Sequence, residues 1–242
     1  NAIDELGVSS EEKARFNFQK GYCLFHTGKQ AESKPYFESV QNNPLYADNA
    51  KYYLGYIAYD SDDYAKAESY FREVQDDATL SKNVSYFQAN MYFKQALYDE
   101  AIEEGQKQLA KTKSAQEISE LNKIIGESYF NQKKYKEAIP YLQKYKGKKG
   151  KFSNTDYYYL GYAFYKNNDY KAAIEQFNKI VGGNDNVAQN AYYHLAECYL
   201  KTDQKQQALN AFRNASQMDF DKQIKKDAHL NYARLSYEIG NP

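Results

Sequence analysis

An all-α solenoid of stacked helical hairpins is what this sequence predicts, from three observations. Two series of small residues recur in phase. Large apolar residues fall at helical spacing between them. Helix breakers are scarce, with four prolines in 242 residues. The first small series is Gly21, Gly55, Ala89, Gly126, Gly161, Ala196 and Ala233, at spacings of 34, 34, 37, 35, 35 and 37. The second is Ser33, Ala67, Ala101, Ala138, Ala173 and Ala208, at 34, 34, 37, 35 and 35. Both slip at the same places, so one unit recurs about six and a half times. The expected repeats are residues 14–47, 48–81, 82–118, 119–153, 154–188 and 189–225, with a final helix at 226–240, all in a single array over 1–242.

Each unit reads as two amphipathic helices. Between Asn154 and Val181, Tyr157, Leu160, Gly161 and Phe164 recur at helical spacing. The polar turn Asn167-Asn168-Asp169 follows, and then Tyr170, Ala173, Ile174, Phe177 and Ile180 resume the pattern. Antiparallel helices joined by a short turn approach closely only where one side chain is small. The large residue opposite, such as Phe177, fills the space left. One hairpin cannot bury both its faces, so stacking is required.

The pattern resembles the tetratricopeptide repeat, a 34-residue helix-turn-helix whose signature is W-x2-L-G-x2-Y, then A, F and P. Leu54-Gly55, Leu160-Gly161 and Leu195-Ala196 match the Leu-Gly pair. Leu24, Tyr92, Tyr129, Phe164 and Tyr199 match the large residue three places on. Tyr64, Tyr98, Tyr135 and Tyr170 open second helices, and Phe37, Phe71, Leu142, Phe177 and Phe212 match the later Phe. Some places depart. Gly105 stands where the third repeat should have an aromatic, Gln30 and Lys205 replace the opening Tyr, and the closing Pro is mostly missing. The stretched spacing predicts irregularity over residues 105–118.

The resemblance implies a right-handed superhelix whose first helices line a concave groove. The fifth, ninth and twelfth places of each unit would then face it. Carried onto this chain they give Phe18, Tyr22 and Phe25, then Tyr52, Tyr56 and Tyr59, then Tyr86 and Phe93 with Asn90. Phe130 follows with Lys123 and Glu127, then Tyr158, Tyr162 and Tyr165, then Tyr193 with Glu197 and Leu200. Tyrosine both stacks and hydrogen-bonds, as in antibody paratopes. The expected role is a protein-interaction scaffold holding a peptide or partner protein in this Tyr-rich groove, with Tyr22, Tyr56 and Tyr162 as the sharpest candidates. The alternatives are a carbohydrate-binding surface of exposed rings and a purely architectural, self-associating array. The family's clamp for C-terminal carboxylates uses Lys and Asn in the first repeat. Phe18 and Tyr22 occupy those places, which argues against it.

Other chemistry finds little footing. Lys+Arg and Asp+Glu balance at 32 each, which argues against nucleic acid as a partner. Mean hydropathy is −0.91, and no apolar run approaches the roughly 20 residues of a transmembrane helix. His26, His194 and His229 lie in different repeats, without zinc-type spacing. No phosphate loop, nucleophile elbow or paired metal histidines occur, so no enzyme, cofactor or metal is expected. Cys23 and Cys198 sit beside packing positions and are expected to be buried thiols. Asp60, Asp62 and Asp63 form an acidic turn lacking the calcium-loop pattern. The basic segment Lys144–Lys151 reads as a solvated loop.

After Lys226–Gly240 no second helix follows. That stretch reads either as a lone capping helix or as a cut from a longer array, with Gly240-Asn241-Pro242 leading onward. Self-association through this open end is a further expectation. The abundance of Tyr, Lys, Asn and Gln resembles long bacterial repeat proteins of the cell envelope, which leans the compartment towards the envelope or periplasm without fixing it.

Overall fold

The computed structural model describes residues 9–77, 79–180 and 182–240, the side chains of 81–83 excepted; Val181, Asn241 and Pro242 lie outside them. The described residues form thirteen α-helices and no strand. By internal contacts the chain parts into two compact units, Asn1–Thr112 and Lys113–Pro242. The division falls inside the stretch where the repeat spacing slips.

The first unit holds α1 (Ser10–His26), α2 (Gln30–Glu38), α3 (Ala47–Asp60), α4 (Tyr64–Glu73), α5 (Ser81–Lys94) and α6 (Tyr98–Leu109). The second holds α7 (Ala115–Asn131), α8 (Tyr135–Lys144), α9 (Asn154–Lys166), α10 (Tyr170–Phe177), α11 (Asn186–Lys201), α12 (Lys205–Gln217) and α13 (Lys222–Glu238). Helices pair as hairpins, α1 with α2 through α11 with α12, and within each unit each hairpin packs on the next. The all-α, helical-hairpin class is as the sequence predicts.

The closeness of each hairpin has a measurable cause. A Cβ built on Gly55 would lie 2.7 Å from the Phe71 ring, and on Gly161 2.9 Å from Phe177. On Gly126 it would lie 2.8 Å from Leu142. The small residue of a first helix is thus the socket for the large residue of the second. Phe37, Phe71, Phe177 and Phe212 are almost wholly buried there. Truncating such a ring to Ala costs about 3–5 kcal/mol.

The turns repeat as faithfully as the sockets. Gly28, Asp62, Ala96, Lys133, Asn168 and Asp203 occupy one place in successive units, and all have φ between 58 and 81°, in the left-handed region. The next residue's N–H reaches back to a carbonyl of the first helix: Asp63 to Ala58 at 2.9 Å, Lys134 to Tyr129 at 2.9 Å, Gln204 to Tyr199 at 2.8 Å. This is a Schellman closure, and it satisfies carbonyls the helix end would leave open. Tyr170 then donates its hydroxyl to Asn168 at 2.7 Å, and Tyr64 does the same to Asp62. In these two hairpins the Tyr that opens the second helix therefore clasps the turn behind it.

Four of the first helices, α1, α7, α9 and α11, begin at side-chain caps. Ser9 with Glu12 and Ser153 with Asp156 form capping boxes; Ser114 and Asp185 cap α7 and α11. The last helix starts at Lys222, earlier than the expected Lys226, because Asp221 accepts from the N–H groups of Gln223 and Ile224. A fully buried amide, Gln189 of α11, fastens the turn before it. Its Nε2 donates to the carbonyls of Ala215, Met218 and Asp221 at 3.0–3.2 Å. Its Oε1 accepts from the N–H groups of Phe220 and Asp221 at 3.1 and 2.7 Å.

One expectation about the core is corrected. Cys198 is buried, and burial raises its thiol to about 12, but Cys23 is exposed. The two occupy the same place in their repeats. Helices α9, α10, α12 and α13 surround α11, whereas α1 packs chiefly on α2, so Cys23 is left facing solvent.

Candidate partner-binding faces

The thirteen rings expected to bind a partner lie between core and solvent. Tyr22 is exposed, at 44%, and the other twelve are half-buried. A ring at the fifth, ninth or twelfth place of a first helix leans on its neighbours without being enclosed.

In the first unit the expected residues touch through residues the sequence reading missed. Phe18, Tyr22 and Phe25 of α1 meet Tyr53 of α3 at centroid distances of 6.4, 5.9 and 4.8 Å. Phe25 also reaches Tyr56 at 5.2 Å. Phe87 of α5 plays the second linking part, against Tyr56 at 5.3 Å, Tyr59 at 5.0 Å and Tyr86 at 5.5 Å. Tyr52 leans on Tyr53 and Phe71, and Phe93 on Tyr98 of its own hairpin. Tyr53 and Phe87 follow the fifth place by one residue, where a helix turns towards its stacked neighbour.

Some polar groups on this face pair within the chain. Asn90 donates to the Tyr59 hydroxyl at 2.8 Å. Lys94 lies 5.2 Å over the Tyr59 ring and 5.7 Å over Tyr64, and its ammonium is 3.4 Å from Asp62. Burial, partly opposed by Lys94, pushes Tyr59 up to about 12.

In the second unit, Phe130 of α7 meets Tyr159 at 4.6 Å and Tyr162 at 5.7 Å. Tyr158 stacks on Tyr162 at 5.7 Å, and Tyr162 meets Tyr165 at 5.8 Å. His194 of α11 is the linking residue here. It is 4.9 Å from Tyr162, 5.1 Å from Tyr165 and 5.5 Å from Tyr193. It shares its place in the repeat with Tyr53, Phe87 and Tyr159, and that recurrence is the signal that could have found it.

Two glutamates hold the ninth place in this unit. Glu127 of α7 is 9% exposed. Lys123, one turn earlier, lies 3.7 Å from Glu127 and 3.3 Å from the buried Asp156. Asp156 is also the carboxylate of the α9 capping box. Burial first, with Asp156 adding and Lys123 opposing, raises Glu127 to about 7. Glu197 of α11 is different. Its Oε2 lies 2.8 Å from His194 Nδ1. Burial and then this carboxylate hold the phenols of Tyr162, Tyr165 and Tyr193 above their usual range.

Elsewhere, the basic segment is a tight turn, closed by an antiparallel bridge between Lys148 and Lys151, with Tyr145 buried beneath it against Phe152. The outer side of α13 exposes Leu230 and Tyr237 beside an open recess of about 590 Å³ lined by Lys222, Lys225, Lys226 and His229. Among the described residues no three His, Cys, Asp or Glu side chains group as a metal site, and no helix is long and apolar enough to cross a membrane.

Two family models match the sequence. The tetratricopeptide repeat covers residues 52–117, and anaphase-promoting complex, cyclosome, subunit 3 covers residues 131–215. No curated protein matches it. Among solved structures, YrrB, described as a TPR protein with an unusual peptide-binding site, is similar with a TM-score of 0.65 at 16% identity. That match covers 80% of this chain and 97% of YrrB. PilF of Pseudomonas aeruginosa gives 0.61 at 14% identity, over 94% of this chain and 98% of PilF. MamA gives 0.61 at 20% identity, over 71% and 91%. At these identities the likeness is one of fold.

Proposed function

The chain belongs to the tetratricopeptide-repeat family and is, in general terms, a protein-interaction scaffold; we propose that the aromatic faces of its first helices hold an extended or helical peptide of a partner protein. The observation that carries this reading is the placement of the rings. Thirteen aromatic side chains at three recurring places stop short of the core, and in each unit they form chains of ring contacts. A core would have enclosed them, and an inert surface would not have gathered them. The peptide-binding site in the description of YrrB, on a similar fold, supports the same use.

Binding works by covering these half-exposed rings while their hydroxyls bond to the incoming backbone. A few rings act as anchors, each worth about 2 kcal/mol or more when truncated, and the rest exclude water. Tyr22, Tyr56 and Tyr162 are the anchors named first: they share the ninth place, and Tyr22 is the most exposed of the thirteen rings. The test is capture from envelope and cytosolic extracts by wild type and by the Tyr22→Ala/Tyr56→Ala/Tyr162→Ala variant, with helicity checked by circular dichroism. A protein held by wild type and released by the folded variant is the expected result. Equal capture by both would remove these faces from consideration.

A further inference from the structure

We propose that the aromatic face of the second unit receives a cationic side chain, a lysine or arginine of the bound peptide, against the Glu197 carboxylate. The inference rests on the peptide-docking reading above and names the chemistry of the partner. Three features meet at one place: a carboxylate without a lysine or arginine, rings whose faces attract cations, and a position on the face where the peptide docks.

The carboxylate comes first. Glu197 is 30% exposed at its side chain. Among the described residues its ion-pair partner is His194, and no lysine or arginine reaches it. The His194 contact uses one of about four acceptor positions on an ionised carboxylate, so others stay open. A second carboxylate, Asp227 of α13, acts on the Tyr193 phenol as Glu197 does, and takes the neutral amide of Gln223 at 3.0 Å. Two carboxylates thus act on the Tyr193 phenol, and a ligand group of opposite charge is favoured beside it.

The rings come second. A π face draws an ammonium or guanidinium within about 6 Å of its centroid. Lys166 of this chain already lies 5.7 Å over Tyr162 and 5.9 Å over Tyr165. Those faces therefore take cations.

The third argument is internal. A carboxylate beside the aromatic faces occurs at two other places, and there the chain supplies its own lysine. Asp62 has Lys94, lying over Tyr59 and Tyr64. Glu127 has Lys123, lying 5.0 Å over Tyr145. Each is the arrangement proposed for the peptide: a cation between a carboxylate and a tyrosine face. At Glu197 the residue one turn earlier is Tyr193, and among the described residues no lysine or arginine forms an ion pair with it. An arginine could engage both carboxylate oxygens, and a lysine only one geometry at a time.

The experiment is selection of a displayed random-peptide library on the immobilised full chain, run in parallel on wild type and Glu197→Gln. Wild type is expected to enrich Lys or Arg at one fixed position, and Glu197→Gln to lose that enrichment. In the best wild-type peptide, replacing that residue by norleucine should weaken binding at least tenfold on wild type and less than twofold on Glu197→Gln. Peptides without a fixed cation would overturn the inference while leaving the docking face standing. So would a cation worth as much on Glu197→Gln as on wild type, since it would be read elsewhere. A selection yielding no peptide that binds would overturn the docking reading and this inference together.

Discussion

Glu127 and Glu197 hold the same place in α7 and α11, and the residues one helical turn before them decide their fates. Lys123 precedes Glu127, and the capping carboxylate Asp156 closes around both, so that site is internal and charge-matched. Tyr193 precedes Glu197, and the carboxylate is left among phenols and an imidazole with part of its surface open. Identical backbone geometry thus yields a structural ion cluster in one hairpin and a receptive acidic spot in another. In a repeat protein, function enters where a unit omits a partner that its siblings supply.

The contrast is most exposed to test by pH. Glu127 titrates near 4.5 in the unfolded chain and near 7 when folded. Between those values the native state holds a proton the unfolded state has shed, so stability is greatest below about pH 4.5 and declines as pH rises through 7. A shift of this size corresponds to about 3 kcal/mol at most. Urea unfolding from pH 5 to 8 should show this decline in wild type, a flattened curve for Glu127→Gln, and the wild-type slope for Glu197→Gln. A wild-type slope retained in Glu127→Gln would show that the proton sits elsewhere.

Removing the internal partner is the next effect. Lys123→Met leaves Glu127 and Asp156 facing each other without a cation. Because Lys123 is itself a third exposed, the cost should be about 2 kcal/mol, below that of a fully buried pair. An unchanged urea midpoint would mean the cluster contributes nothing. The converse substitution is Tyr193→Lys, which gives Glu197 the lysine its sibling has. It should weaken a cation-bearing peptide about tenfold more than Tyr193→Met does, roughly 1.4 kcal/mol. Equal losses would show that only the ring was missed.

The smallest effect concerns what the two hairpins share. Lys133 and Asp203 both take a left-handed backbone in the turns after α7 and α11. Glycine adopts this conformation without the Cβ penalty, at some cost in unfolded-state entropy. Lys133→Gly and Asp203→Gly should each stabilise by about 0.5 kcal/mol. Similar gains in thermal midpoint would place the difference between the hairpins on their faces alone; a gain at one turn only would mean their frames differ too.

The frame was legible in the sequence because its causes are local and repeated. Gly55 with Phe71, and Gly161 with Phe177, sit at fixed separations along the chain, so their contact is written as a period. The left-handed turn was less visible, because Ala96 and Lys133 have no preference for it; there the Schellman closure overrides the residue. The face was half legible. The spacing located thirteen rings, yet Tyr53, Phe87, Tyr159 and His194 knit them together from a place that on one helix looks like ordinary packing. Cys23 was misread because the covering of a first helix depends on its neighbours, which one repeat does not encode. Glu197 could be read only against Glu127, once structure had shown that Lys123 reaches its partner.

Gln189 has a bearing on how the last helix behaves in time. Its amide bonds to the backbone on both sides of the turn between α12 and α13 while its own Cα belongs to α11. A terminal helix held by side-chain packing alone would fray and re-form independently. Here, if α13 leaves with its N-cap Asp221, the buried amide loses two of its five bonds. Hydrogen exchange in α13 should therefore keep pace with α11 and α12 as one opening unit, and Gln189→Leu should let α13 exchange ahead of them.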